Sequence, residues 1–188
     1  MDENHPTNPL STYAVSKLAA DRLCFTLHHE QNIPAVILRQ FNSYGPRETQ
    51  PYVIPEIIAQ LSRSNKLVVG NINAKRDFTY VEDAAKAAIA LMKEEKAEGE
   101  VFNVGCGEEY SVKEIAHLIA EAIGYDSIDI EINPEKFRKL DVERLQCDYS
   151  KLHKLTGWKP EIGMKEGLKR TIEWFNENGK KWMWEKKL

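Results

Sequence analysis

Tyr13 and Lys17 stand four positions apart in a segment that reads as helix, so both side chains leave one strip about a turn apart. That spacing can build a base. A protonated lysine about 4 Å from a phenolate stabilises it by about 4 kcal/mol at an effective dielectric of about 20. Stabilisation of that size brings a phenol toward neutrality, where a general base works best. Taken alone, the pair also fits a solvated lysine beside a half-buried tyrosine, which is the commoner case, and context has to decide. Cys24 and His28 form a second i, i+4 pair with His29 adjacent. A zinc site needs three or four ligands and none further is in view, so the expectation is no metal. Gly105-Cys106-Gly107 follows an apolar run, but position 110 is tyrosine where a dinucleotide fingerprint would need its third glycine. It reads as a simple strand-to-helix turn.

These groups need elements to hold them. Pro9, Ser11 and Thr12 precede a helical pattern from about Tyr13 to Glu30, ending before Pro34. Its apolar residues do not gather on one side, so the helix should be covered on more than one face. Ala35-Val36-Ile37-Leu38 and Val101-Phe102-Asn103-Val104 read as strands buried on both faces of a parallel sheet. Residues 41 to 52 read as a loop, and Gly70 to Arg76 as a short polar segment. Ile54, Ile57, Ile58 and Leu61 mark a second helix, and Val81 to Met92 a third. Ser111-Val112-Lys113-Glu114 is a capping box, opening a helix that Gly124 stops. Ile128, Ile130 and Ile132 alternate as a half-exposed strand would; Ser150 to Leu155 is a short helix closed by Gly157. Met164, Leu168, Thr171, Ile172 and Phe175 mark the last helix. The class is α/β, yet two central strands do not cover the helices around them, so the chain behaves like part of a larger fold.

Composition narrows the function. The chain has 188 residues, 26 Lys+Arg against 29 Asp+Glu, and 42% apolar positions, as one ordinary soluble domain would. A net charge of −3 without blocks of like charge offers no footprint for nucleic acid or anionic membrane. Met1, Asp2, Glu3 and His5 do not make a signal peptide, and three cysteines without C-x-x-C spacing fit reduced thiols, so the expected compartment is the cytoplasm. The tail, with Trp174, Phe175, Trp182 and Trp184 among Lys180, Lys181, Lys186 and Lys187, reads as a C-terminus packing one or two aromatics, or as a membrane-surface or partner contact.

Around the tyrosine, the run from Asn4-His5-Pro6 to Ser11-Thr12-Tyr13-Ala14-Val15-Ser16-Lys17 resembles extended short-chain dehydrogenases acting on nucleotide sugars. Arg39-Gln40-Phe41-Asn42-Ser43-Tyr44-Gly45-Pro46 is similar to that family's R-x-F-N-x-Y-G-P, and Arg76-Asp77-Phe78 through Val81-Glu82-Asp83 to its R-D-F-x-x-V-x-D. Phe102-Asn103-Val104-Gly105, Tyr110-Ser111-Val112, Asp148-Tyr149-Ser150-Lys151 and Thr156-Gly157-Trp158-Lys159-Pro160 continue the likeness in order. Within the family, Gly70-Asn71-Ile72-Asn73-Ala74-Lys75-Arg76-Asp77 looks closest to GDP-mannose 4,6-dehydratases and related GDP-hexulose reductases.

The resemblance implies a partial Rossmann-type sheet lacking the N-terminal dinucleotide-binding half, plus a small mixed lobe. Residues 1–45 and 99–125 would be the remnant of the NAD(P) domain, and 46–98 and 126–188 the sugar-nucleotide lobe. It further implies that Tyr13 takes a proton from a sugar hydroxyl as hydride passes to NAD or NADP. Lys17 would assist and hold the cofactor ribose, with Phe41 beside the cofactor. Asn42, Arg47, Arg76 and Arg138 would bind the nucleotide-diphosphate sugar, the arginine fork suiting a pyrophosphate. Lys139 stands where the family usually has proline. No glycine-rich turn opens a βαβ unit, and the family's upstream catalytic Ser or Thr has no counterpart. The expected function is the C-terminal part of a nucleotide-sugar 4,6-dehydratase or epimerase, active once an N-terminal half, encoded separately, is supplied. A non-catalytic binding or assembly module and an inactive truncated product are the alternatives. In each case the helix from Tyr13 to Glu30 is expected to pair two copies.

Overall fold

A computed structural model describes residues 1–48, 52–137 and 140–179. Six α-helices and eight strands follow in the order α1 (Thr12–Gln31), β1 (Ile37–Gln40), β2 (Asn42–Tyr44), α2 (Val53–Leu61), β3 (Lys66–Val69), β4 (Lys75–Tyr80), α3 (Val81–Met92), β5 (Val101–Val104), β6 (Glu109–Ser111), α4 (Val112–Ile123), β7 (Asp129–Ile132), β8 (Arg144–Leu145), α5 (Ser150–Thr156) and α6 (Met164–Asn178). The class is α/β. Local signals set the helices: Ser11 accepts the Ala14 N–H to cap α1, and the Ser111–Glu114 capping box closes both its bonds at the head of α4.

The two apolar runs do pair in parallel, with Ile37 opposite Val101 and Gln40 opposite Val104, although β1 lies two residues later than the apolar run suggested. Five strands were not anticipated. β2, within the stretch read as loop, pairs in parallel with β4; β4 also holds β6 antiparallel and β8 parallel; β3 pairs in parallel with β7. These strands are two to six residues long and several are polar, so they carry too few alternations to show a period of two. Because β6 intervenes, Gly105 to Gly107 is a strand-to-strand turn and not the strand-to-helix turn its sequence suggested.

Two cores form. The larger gathers Ile54, Ile57, Ile58 and Leu61 of α2, Leu67, Phe78, Ile115 and Ile119 of α4, and Leu168 and Ile172 of α6. Full burial of each such aliphatic side chain contributes about 1.5–3 kcal/mol. The smaller places Ala87 and Leu91 of α3 and Leu152 of α5, with Trp158, under Phe102 and Val104 of β5. α4 therefore packs with α2 and α6, while α3 and α5 serve the β1–β5 pair. By contrast α1 has no buried residue along its whole length. Tyr13, Val15 and Leu23 are exposed apolar groups on it, while Ala14, Leu18, Asp21, Leu27 and His28 are partly covered. No described helix is long and apolar enough to cross a membrane. Phe175 packs against the larger core, whereas Lys180, Lys181, Trp182, Trp184, Lys186 and Lys187 lie outside the described residues.

Candidate functional site

Tyr13 sits in the first turn of α1 with 69% of its surface open, and the Lys17 ammonium lies 5.6 Å from the centroid of its ring. The helix thus brings the pair together. The Ser16 hydroxyl donates to the Tyr13 carbonyl at 2.7 Å, within the same turn of the helix. α1 leans on β1, which leads through Phe41 straight into β2. Phe41 is half-buried and its N–H donates to the Val104 carbonyl at 2.9 Å; Asn42, the first residue of β2, is exposed opposite Phe78 of β4. Arg47 follows in the turn after Gly45, exposed and at φ 70°, a left-handed conformation rare for a residue with a side chain.

Arg76 lies on β4 two residues before Phe78, one strand over from Asn42. Its side chain is 13% exposed; Nη2 donates to the Asp141 carboxylate at 2.6 Å and Nη1 to the Lys75 carbonyl at 2.8 Å. Arg138 lies outside the described residues. Two surface cavities, of about 360 and 470 Å³, are lined by residues that include none of the described candidates: one by Phe102, Lys151 and neighbours, the other by Tyr110, Met164 and neighbours. Among the described residues the Tyr13–Lys17 pair faces solvent, and no group of three or more His, Cys, Asp or Glu side chains could hold a metal.

Three carboxylates matter that sequence reasoning assigned no role, though two of them belong to a motif it quoted. Asp77, fully buried, accepts the backbone N–H groups of Cys106 and Gly107 at 2.8 Å and of Cys147 at 3.1 Å. The Cys106 and Gly107 donors of the Gly-Cys-Gly turn are thereby consumed, which leaves them unable to cradle a phosphate. Gly105 is needed because a Cβ there would lie 2.2 Å from that of Cys147. Burial first, and Asp77 next, raise the thiols of Cys106, to about 12, and of Cys147, so both stay protonated and unreactive at neutral pH. Asp83, equally buried, accepts from the N–H groups of Glu161 and Ile162 at 2.9 and 2.8 Å, and its carbonyl takes the Trp158 indole N–H at 3.1 Å. The acidic residues of the R-D-F-x-x-V-x-D run are therefore loop anchors. The third, Glu48, beside Arg47, is pushed up to about 8 by burial, a backbone hydrogen bond from Gly45 acting the other way, and its Oε2 has no partner among the described residues. Nothing in the spacing of the sequence announces a buried carboxyl there.

Comparison with known proteins gives this arrangement its family. The chain is 35% identical to the GDP-6-deoxy-D-mannose reductase of Pseudomonas aeruginosa over 89% of its own length and 56% of that enzyme's. The solved structure of RMD from Pseudomonas aeruginosa complexed with NADPH superimposes with a TM-score of 0.87 at 30% identity, covering 95% of this chain and 60% of that one. That of the UDP-glucuronic acid 4-epimerase from Bacillus cereus in complex with UDP-glucuronic acid and NAD gives 0.83 at 28%, over 94% and 56%. The chain thus spans a little over half the length of these relatives, as a part of the extended short-chain dehydrogenase fold. Residues 1–171 match the family model described as GDP-mannose 4,6 dehydratase, and with its Tyr-Lys helix and partial parallel sheet the chain belongs to that family.

Proposed function

We propose that this chain is the sugar-nucleotide side of a cytoplasmic nucleotide-sugar dehydratase, epimerase or reductase, and that it turns over once a dinucleotide-binding half is supplied. The observation that carries the reading is the Tyr13–Lys17 pair, 5.6 Å from ammonium to ring centroid and open to solvent, within a family match over residues 1–171. Tyr13 takes the proton from a sugar hydroxyl, and the Lys17 charge stabilises the phenolate that results. Asn42 hydrogen-bonds the sugar. Arg47, Arg76 and Arg138 hold the diphosphate, where the guanidinium fork matches paired phosphate oxygens. Segments 1–45 and 99–125 form the cofactor side and 46–98 and 126–188 the sugar-nucleotide side, with α4 bridging them by packing on α2 and α6.

Fit to NAD or NADP is partial. Tyr13, Lys17 and Phe41 suit the nicotinamide ribose end, while the Gly105–Gly107 turn has spent its Cys106 and Gly107 N–H groups on Asp77, away from any pyrophosphate. When bound, the dinucleotide supplies hydride acceptance and return. What this chain contributes is the base, the diphosphate grip and a β1 edge opposite β5 on which another parallel strand can pair.

One observation favours a second reading, a non-catalytic binding or assembly module. α1 buries none of its residues, and exposed Val15, Leu23 and Phe25 make it a face for another polypeptide, a second copy included. Thermal shift with GDP-, dTDP- and UDP-sugars, and separately with NAD and NADP, tests the binding side; stabilisation by a sugar nucleotide alone is expected. Mixing the chain with an N-terminal half from a relative then tests chemistry. Appearance of a 4-keto sugar supports the enzyme, and a well-formed complex without product leaves the module.

A further inference from the structure

A helix with no fully buried residue draws little of its hold from apolar packing, and α1 carries the two groups proposed to handle protons. The half-buried residues of α1 are Ala14, Leu18, Asp21, Leu27 and His28, and the strip Ala14, Leu18, Asp21 and His28 among them is the face that meets β1, through Asp21. Tyr13 and Lys17 each stand one residue before a member of that strip, about 100° around the helix from it. Their direction relative to Asn42 is therefore set by how the strip is clamped. His28 clamps the far end, its Nδ1 within 2.9 Å of the Ile33 carbonyl and its ring over Gly99. That end lies about four turns beyond Tyr13.

Near the pair the clamp is Arg39 of β1. Its Nε donates to Asp21 Oδ2 at 2.8 Å, and its Nη1 donates to the Glu3 carbonyl at 3.0 Å. Asp21 is one turn beyond Lys17, its side chain 9% exposed. Glu3 belongs to the segment that leads into α1. It is itself fixed on the sheet, because its Oε1 accepts the N–H of Asn103 at 2.8 Å, and Asn103 is the residue opposite Arg39 in the β1–β5 register. Arg22 also binds Asp21, but both stand on α1, so that bond ties the helix to no other element. One guanidinium thus joins the approach to Tyr13 and the turn after Lys17 to the same strand, which continues through Phe41 into Asn42.

We propose that Arg39 is the positioning residue of the Tyr13–Lys17 pair, fixing both flanks of the pair on β1 so that it keeps one orientation toward Asn42. The inference rests on the proposed function for its catalytic consequence, while its structural part stands without it. A lysine cannot replace Arg39 fully, since a single ammonium on a flexible stem lacks the planar fork that spans two acceptors.

The test begins with the chain alone, by hydrogen exchange and mass spectrometry. In R39A, amides of residues 1–22 are expected to exchange about tenfold faster while α2, α4 and α6 keep their rates, with R39K recovering part of the protection. D21N, which keeps the side-chain shape, should give the α1 part of the effect if R39A proves insoluble. Unchanged exchange in residues 1–22, or a uniform rise through all helices, overturns the proposal. In the assembly with an N-terminal half, R39A should lower kcat at least about tenfold and shift KM for the sugar nucleotide less than about twofold. A matching rise in KM would instead make Arg39 part of substrate binding and overturn its positioning role. If the parent assembly shows no turnover, the functional reading fails, and the exchange data still decide whether Arg39 clamps the pair.

Discussion

The guanidinium of Arg76 and the carboxylate of Asp141 meet at 2.6 Å across 65 residues of chain, the arginine side chain 13% exposed and its partner 23%. On the proposed function, a diphosphate would meet here a guanidinium already oriented by Asp141 and by the Lys75 carbonyl.

Removing Arg76 tests that use. R76A is expected to weaken binding of GDP and UDP by about 10- to 100-fold, the loss of charge-assisted hydrogen bonds at about 1.5–3 kcal/mol. R76K should recover little, because a point charge cannot span two oxygens. Isothermal titration on the chain alone measures both; unchanged affinity in R76A takes it out of the diphosphate site.

Asp77 makes a stability prediction independent of any ligand. Its carboxylate accepts three backbone N–H groups, and an amide has one oxygen to offer them and turns an NH2 toward the rest. D77N should lose about 2–4 kcal/mol in urea denaturation, through buried donors left without acceptors. A loss below about 1 kcal/mol would mean that Asp77 is no anchor.

Stability should fall as pH rises from about 5 to about 8. Glu48, pushed up to about 8 by burial against the weaker pull of Gly45, binds its proton more tightly folded than unfolded. Its contribution is whole below the ordinary glutamate range near about 4.3 and is lost as pH climbs through the folded value. Asp21 runs the other way. Burial raises it, but hydrogen bonds from Arg39 and Arg22 leave it below the usual carboxylate range, so its contribution holds above about pH 4 and is lost as pH falls further. Urea midpoints measured from pH 4 to 9 should give a flatter curve for E48Q between pH 5 and 8. A curve parallel to the parent's removes Glu48 as the cause.

Y13F keeps the ring beneath the Lys17 ammonium and deletes the hydroxyl alone. Melting temperature should stay within about 1 °C, because a solvent-exposed hydroxyl adds little stability. In the assembled enzyme kcat should fall about 10²- to 10⁴-fold with KM nearly unchanged, the mark of a lost proton-transfer step. Full activity in Y13F would end the base assignment.

Helices were legible residue by residue because their signals are local. The stretch Val81 to Met92 is helical to the residue, and the Ser111–Glu114 box closes as its spacing requires. The strands β2, β3, β4, β6 and β8 were not, because a strand of two to six residues is defined by partners distant in the chain. Of the site, Tyr13 and Lys17 were readable as one strip, and Arg76 as a charge. That Arg76 is already paired with Asp141, and that Arg39 joins Glu3 to Asp21, required knowing which strands lie side by side.

By itself the order of residues determined the α/β class, the six helices, the Tyr-Lys spacing and the family, since each depends on types and intervals along the chain. Tertiary structure alone decided which groups are buried: that the donors of Gly105–Gly107 are spent on Asp77, that Glu48 is enclosed, and that α1 buries no residue. Burial is a property of what covers a group. The chemistry of a carboxyl or a guanidinium follows its surroundings more than its neighbours in sequence.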